Sequence, residues 1–119
     1  MAETDSIKDQ AVLAARAAED KKAFDVEILE VSELTIIADY FVICSANSDV
    51  QAQAIARNIE DEMAAEGYQP QQTAGMNRGR WILMDYADII VHIFHKEERE
   101  YYELERLWAD AEKILERTE

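Results

Sequence analysis

The segment WILMDYADIIVHIF, residues 81–94, is the part of the sequence that best indicates the fold. Its apolar residues form two runs on either side of Asp-Tyr-Ala-Asp, which indicates two strands, Trp81 to Tyr86 and Ile89 to Phe94, joined by a tight turn. The simplest arrangement of these strands is an antiparallel hairpin. Its expected register opposes three pairs of residues on one face: Asp85 with Asp88, Leu83 with Ile90, and Trp81 with His92.

Both faces of this hairpin are apolar, although one face of such a strand pair is often wet. One face should build the core with Ile82, Met84, Tyr86, Ile89, Val91 and Ile93. The other, called here the Trp81 face, carries Trp81, Leu83, Asp85, Asp88, Ile90, His92 and Phe94. Two explanations of the Trp81 face stay open. Either the following helix covers it, or its aromatic residues, ringed by charge, anchor a protein interface.

The rest of the chain predicts helices and further strands around the hairpin. Small apolar side chains at helical spacing indicate a helix near residues 5–20, and the alternation from Phe24 to Glu30 indicates an outer strand with one wet face. The run from Tyr40 to Cys44 is apolar without alternation, as in a central strand covered on both faces. After Phe94 the period changes, and five residues form the stripe of one helix: Tyr101, Leu104, Trp108, Ala111 and Leu115.

Local signals mark where the middle elements begin and end. A short turn of helix is expected at residues 34–38. Ser48 and Gln51 form a capping box, so a second helix should begin there and end before Gly67. The inner face of this helix should consist of Val50, Ala54, Ile59 and Met63. The polar segment from Gln69 to Arg80 reads as a loop, with a short edge strand near residues 68–73.

These elements predict a single domain over residues 1–119, with residues 1–4 and 116–119 frayed. The predicted architecture is α/β (α+β), a mixed β-sheet of about four or five strands flanked by helices. A chain of 119 residues can bury a core without a disulfide or a metal ion. Its single cysteine, Cys44, is therefore expected to be a buried thiol in a reducing compartment.

The charge of the chain bounds its partners. Twenty-six acidic residues against twelve basic ones give a formal net charge of −14. This charge disfavours direct binding to nucleic acid or to an anionic membrane and favours a basic partner. The alternative explanation is that the charge only keeps the protein soluble. No apolar run approaches the ~20 residues of a membrane span, and the acidic N-terminus is unlike a leader peptide. We expect a cytoplasmic protein.

Residues that could carry enzymatic chemistry are few. Asp25 and Glu27 have the spacing of a metal-binding carboxylate pair in nucleotidyl transfer, but the chain has no glycine before Gly67 to form a phosphate-binding turn. The two carboxylates are more simply the wet face of a strand. His92 and His95 have opposite strand parity and no nucleophile nearby, so a structural or interface role is favoured for His92. No catalytic, metal or cofactor-binding residue is predicted; a metal-dependent nucleotidyltransferase using Asp25 and Glu27 remains the main alternative.

Several segments in this order resemble the ribosomal silencing factors, also called the Iojap-related family, from about Ile7 to Ala111. They are Asp39 to Ile43, Trp81 to Tyr86, Val91 to Phe94, Glu97 to Arg99, and Tyr102 to Trp108. The resemblance implies a fold like that of nucleotidyltransferases without their catalytic signature, and no enzymatic activity. It implies a translational repressor that binds the large ribosomal subunit at its fourteenth large-subunit protein and blocks association with the small subunit. A homodimer formed through the Trp81 face when the protein is free is a further alternative.

The resemblance assigns roles to particular residues. Trp81, Leu83, His92 and Phe94, together with Ile90, would form an apolar anchor. Asp85 and Asp88 would pair with Lys or Arg of the partner, and Tyr102 and Glu103 would extend the patch from the helix. If His92 faces basic residues, binding should weaken on the acid side of neutrality. The sequence departs from the family at Ala87, where glycine is usual, and at Val50, where a basic residue is common.

Overall fold

The structure, a computed structural model, describes residues 3–102 and 112–115. In chain order the described elements are α1 (Glu3–Asp20), β1 (Phe24–Glu30), β2 (Tyr40–Ala46), α2 (Asp49–Ala65), β3 (Gln72–Ala74), β4 (Trp81–Asp85), β5 (Ile89–His95), α3 (Lys96–Tyr102) and β6 (Glu112–Leu115). The strands form one six-stranded sheet in the order β3-β4-β5-β2-β1-β6. Only β2 and β5 pair in parallel; the other pairs are antiparallel. The predicted mixed α/β fold with flanking helices is confirmed.

The centre of the sheet is as predicted, and its edge is not. Every residue of β2 is buried, because β1 and β5 flank it and both of its faces are covered. β1 was expected to be an outer strand, but β6 pairs with its free side. That pairing also corrects the prediction for Leu115, which lies opposite Ile28 in β6 rather than on a helix. Of the predicted final helix the structure describes α3; Leu104, Trp108 and Ala111 lie outside the described residues.

Helices α1 and α2 cover one face of the sheet. The stripe of α1 is made of alanines, and Ala11, Ala14, Ala15 and Ala18 are fully buried. Such small side chains let the helix lie close to the strands. The alanines join β-strand residues such as Val42, Ile82 and Ile93 in the larger of two hydrophobic clusters. We call this side of the sheet the closed face.

The boundaries of α2 follow the predicted capping signals. Ser48 Oγ accepts a hydrogen bond from the amide of Gln51 at 3.0 Å, and the Gln51 side chain in turn accepts one from the amide of Asn47 at 2.7 Å. Gly67, with φ of +91°, follows the helix in the left-handed conformation expected of it.

Two local predictions for the middle of the chain need correction. The inner face of α2 includes Ile59 and Met63 as predicted, but Ala52, Ile55 and Ala56 complete it, whereas Ala54 is only partly buried and Val50 is 74% exposed. Val50 precedes Ala52 by two residues, about 200° around the helix axis. Residues 34–38 form no helix. The amides of Leu34 and Thr35 both bond to the carbonyl of Val31, and the chain then opens.

The hairpin forms with a register two residues away from the prediction. The observed pairs on the Trp81 face are Trp81 with Phe94, Leu83 with His92, and Asp85 with Ile90. The turn is shifted by one residue along the chain: the amide of Tyr86 bonds to the carbonyl of Ile89, so Ala87 and Asp88 form its tip, and Ala87 takes a φ of +73°. Since side chains alternate with a period of two, a two-residue shift changes the partners but leaves each residue on its predicted face.

Candidate functional site: the Trp81 face

The Trp81 face has its own, smaller hydrophobic cluster on the side of the sheet opposite α1 and α2. Its buried members are Leu29, Val31, Ala38, Phe41, Ile43, Ile90 and Phe94. Trp81 and Leu83 pack against this cluster and remain partly exposed. α3 reaches this side near Ser45, whose hydroxyl bonds to Arg99. The exposed boundary of the cluster is therefore the row of β4 side chains that begins at Trp81.

Phe94 and His92 hold the side chain of Trp81 in place. Its ring stacks on Phe94, with ring centroids 4.9 Å apart and planes 30° apart. Its indole Nε1 donates a hydrogen bond to His92 Nδ1 at 3.2 Å. A large aromatic side chain that is fixed before binding loses little further conformational entropy in a complex. Trp81 thus has the properties of a preorganised anchor.

His92 supports Trp81 from inside the cluster. Its side chain is 5% exposed and meets the Phe41 ring edge-on at 4.9 Å. Because Nδ1 accepts from Trp81, the neutral ring carries its proton on Nε2, an atom that is buried and has no hydrogen-bond partner among the described residues. Burial lowers the pKa of His92 to about 4. His92 is neutral near pH 7, and its titration falls well below the range expected from the sequence.

The far end of the Trp81 face is acidic. Asp85 is partly exposed and its Oδ1 accepts a hydrogen bond from the amide of Ala87 at 2.8 Å. Asp88 is exposed in the turn, and its carbonyl accepts from the amides of Asp39 and Tyr40. Both carboxylates lie beside the apolar row, at the end of the hairpin. This arrangement suits a partner that offers cations next to an apolar surface.

The structure divides the predicted site residues into two layers. Trp81, Leu83, Asp85 and Asp88 are accessible and lie along β4 and its turn. Ile90 at 6%, His92 at 5% and Phe94 at 0% exposure lie beneath them, so in the free protein the accessible part of the predicted anchor consists of Trp81 and Leu83. Aromatic rings that pack against the buried residues contribute to this burial: the Trp81 ring stacks on Phe94, and the Phe41 ring contacts His92. The backbone of Tyr102 ends α3, while its side chain and Glu103 lie outside the described residues.

Sequence reasoning missed the role of Arg99. Its guanidinium is almost fully buried and donates hydrogen bonds to the carbonyl of Asp25 and to Ser45 Oγ, the latter at 3.0 Å. It also lies 3.6 Å from the carboxylate of Glu27. These contacts join α3 to β1 and β2. The segment Glu97-Glu98-Arg99 carried a signal only as part of the family resemblance, since no local pattern predicts a buried arginine.

The same contacts disfavour the enzymatic alternative. Asp25 lies in a bulge of β1 with φ of +50°, and Glu27 is engaged by Arg99. The carboxylate of Glu27 therefore already has a cationic partner within the protein. Among the residues described in 3–102 and 112–115, no group of three or more His, Cys, Asp or Glu is placed to hold a metal ion.

Cys44 lies on the closed side of β2. It is fully buried. Burial raises the pKa of its thiol to about 12, although the nearby Arg99 charge opposes this shift. The thiol is therefore protonated and inert at neutral pH, as the sequence predicts.

Comparison with known proteins identifies the family. The family described as "Ribosomal silencing factor during starvation" matches residues 4–119. The chain belongs to this family. It is 48% identical to the ribosomal silencing factor RsfS of Bacillus subtilis over 99 residues, which cover 83% of this chain and 84% of that protein. The resemblance to ribosomal silencing factors is thereby confirmed.

Two further relatives extend the comparison. A crystal structure of a Chromobacterium violaceum protein superposes with a TM-score of 0.85 at 30% identity and covers 87% of this chain and 86% of that one. The chloroplastic protein Iojap of Zea mays is 32% identical over 104 residues, which are 87% of this chain and 45% of that protein. The Bacillus subtilis relative is named for ribosomal silencing rather than for catalysis. Within the described ranges, the helices are too short or too polar to cross a bilayer.

Proposed function

We propose that this silencing-factor family member is a translational repressor that binds the large ribosomal subunit at its fourteenth large-subunit protein and blocks association with the small subunit. Membership of the family supports a ribosome-associated silencing role. The observation that carries the rest is the Trp81 face. Its partly exposed apolar row lies on a second hydrophobic cluster and ends in two accessible carboxylates.

The apolar row supplies the anchor of the proposed interface. Interface hot spots are enriched in Trp because a large, rigid ring gains much contact area at low entropic cost. Trp81 is fixed by Phe94 and His92 before any partner arrives. Leu83, next on the same side of β4, widens the apolar patch towards Asp85.

The carboxylates of Asp85 and Asp88 would fix the orientation of the partner on the Trp81 face. Ribosomal proteins are basic, and a protein of net charge −14 is drawn towards them. Asp85 and Asp88 would then pair with Lys or Arg at one end of the patch and so fix its direction. His92 contributes indirectly, by holding the indole of Trp81 through its Nδ1.

Repression would follow from occlusion, with no bond made or broken. The folded protein measures 38 × 32 × 28 Å. A body of this size seated where the small subunit docks would prevent contact sterically, and its negative outer surface would repel ribosomal RNA as well. The proposal requires the protein to be in the same compartment as its ribosomes. The sequence predicts the cytoplasm, and this remains a prediction, since the maize relative is chloroplastic.

The test is a subunit-joining assay. Isolated large and small subunits are mixed with increasing amounts of the protein, and joined ribosomes are measured by sedimentation. We expect the wild type to reduce joining when it is added to the large subunit first. Trp81→Ala should bind the isolated large subunit about 30- to 1,000-fold more weakly and lose this effect in proportion. A folded Trp81→Ala variant with unchanged affinity would exclude this face, and unchanged joining with saturating wild type would exclude the function.

A further inference from the structure

Apolar exposure in this protein is concentrated in one loop. Among the side chains that the structure describes, four large hydrophobic ones are exposed: Leu34 at 45%, Ile36 at 103%, Ile37 at 63% and Val50 at 74%. Three of the four lie within four residues of one another, in the connection between β1 and β2. A single exposed apolar residue is ordinary, but three at one loop tip form a contact surface.

This loop is ordered by its own hydrogen bonds. The amides of Leu34 and Thr35 bond to the carbonyl of Val31 at 2.9 and 3.0 Å, and the amide of Ile37 bonds to the hydroxyl of Thr35 at 3.2 Å. At its base the amide of Val31 bonds to the carbonyl of Asp39 at 2.9 Å. The apolar tip is therefore presented in a defined conformation, which lowers the entropic cost of binding.

The loop continues the Trp81 face. Val31 and Ala38, at its two ends, are buried in the same cluster against which Trp81 and Leu83 pack. The amide of Asp39 bonds at 2.8 Å to the carbonyl of Asp88, in the turn after β4. The tip thus stands at the acidic end of the apolar row, on the opposite side of Asp88 from Trp81.

Charge selects the kind of partner that fits the loop. Between Lys22 and Arg57 the chain has no lysine or arginine, while Glu30, Glu33 and Asp39 flank the tip. Asp85 and Asp88 add two more carboxylates beside it. Nucleic acid and anionic bilayers are repelled by such a surface. A basic protein that offers an apolar groove rimmed by Lys or Arg is complementary to it.

We propose that Leu34, Ile36 and Ile37 form a second apolar anchor for the basic ribosomal protein bound by the Trp81 face. This inference rests on the proposed function and adds to it a second contact, on the far side of the two aspartates. The partner surface would present two apolar sites with a cationic strip between them, matching Trp81, the aspartates and the loop tip in that order.

The experiment compares two sets of exposed residues. The triple variant Leu34→Ser, Ile36→Ser, Ile37→Ser removes the loop tip, and Val50→Ser removes an equally exposed apolar side chain at the start of α2. Both should fold, because the mutated side chains are solvent-exposed. Affinity for isolated large subunits should fall about 10- to 100-fold in the triple variant, as expected for a lost hot spot. Val50→Ser should change it by no more than about twofold.

The outcomes separate the inference from the proposed function. If the triple variant binds large subunits as the wild type does while Trp81→Ala binds weakly, the loop is not an anchor and the function stands. If the wild type itself does not bind large subunits, the proposed function fails. Light scattering of the free protein tests whether the loop instead binds a second copy of this chain. A triple variant that loses self-association but keeps its affinity for large subunits would assign the loop to that contact and overturn the inference.

Discussion

Both faces of the sheet carry apolar residues, but the two faces are covered to different extents. On the closed face, α1 and α2 bury residues such as Val42, Ile59 and Ile93 completely. On the Trp81 face the cluster is smaller, and its outer row of Trp81 and Leu83 is left partly exposed. The strands alone do not distinguish the two, because both faces of the hairpin alternate correctly. The difference lies in what the rest of the chain places on each side, and it separates fully buried residues from residues that are accessible to a partner.

The contacts that hold α3 on the Trp81 face give the largest expected effect. Arg99→Met should lower the free energy of unfolding by about 3–5 kcal/mol, because it leaves Glu27 and the buried polar atoms around it without their cation. Chemical denaturation measures this change. Arg80→Met is the matched control, since Arg80 pairs with Glu97 and Glu98 at the surface and its loss should matter little. Equal effects of the two variants would show that Arg99 does not join the elements.

One pair of substitutions compares the faces directly. Ile59→Ala on the closed face should lower the free energy of unfolding by about 2–5 kcal/mol through the cavity it leaves, with no change in the affinity of the folded protein for large subunits. Leu83→Ala should cost less stability, because Leu83 is only partly buried, and should weaken binding. The measurements are denaturation curves and binding titrations on the same samples. The opposite pattern would reverse the assignment of the faces.

A pH titration reports on the inside of the Trp81 face. The pKa of His92 is lowered by burial from 6.5 to about 4, so between these values the unfolded chain binds a proton that the folded protein does not. The free energy of unfolding should therefore fall as pH is lowered through this window, by up to about 1.4 kcal/mol per pH unit from this residue. Carboxylates also titrate here, so the slope is compared with that of His92→Asn. Identical slopes would mean that His92 is not buried as a neutral ring.

The smallest expected effect is at the turn between β4 and β5. Ala87 takes a φ of +73°, a left-handed conformation that costs a residue with a Cβ about 1–2 kcal/mol. Ala87→Gly should stabilise the protein by about 0.5–1 kcal/mol after the greater flexibility of glycine in the unfolded chain is subtracted. A thermal melt detects this gain. A loss of stability would indicate that the Ala87 side chain makes a contact worth more than the strain.

Much of the fold could be predicted from local sequence patterns, and the wrong predictions have physical causes. The buried run from Tyr40 to Cys44 and the cap at Ser48 depend on neighbours in sequence, and both were predicted correctly. The strand Glu112–Leu115 was predicted as helix because its apolar spacing continues the stripe that begins at Tyr101; only pairing with β1, far away in sequence, determines its state. The predicted hairpin register was wrong because the sequence Asp-Tyr-Ala-Asp does not indicate which two residues form the tip of the turn.

The candidate site was readable only to the level of a face. Alternation placed Trp81, Leu83, Asp85, Ile90, His92 and Phe94 together, and the structure keeps all six on one side of the sheet. Alternation does not distinguish accessible side chains from covered ones, so it left open the exposure of Phe94, which is fully buried. The exposed loop tip at Leu34, Ile36 and Ile37 was not predicted, because residues 34–38 were expected to form a short turn of helix.

Side-chain footprinting tests the central claim most directly. Hydroxyl radicals label the exposed side chains of the free protein and of the protein saturated with isolated large subunits, and mass spectrometry measures the labelling at each residue. Trp81 and Leu83 should lose their labelling in the complex, while Val50, which is 74% exposed at the start of α2, keeps its own. Protection of Val50 together with unchanged labelling of Trp81 and Leu83 would contradict the assignment of the Trp81 face as the ribosome-binding surface.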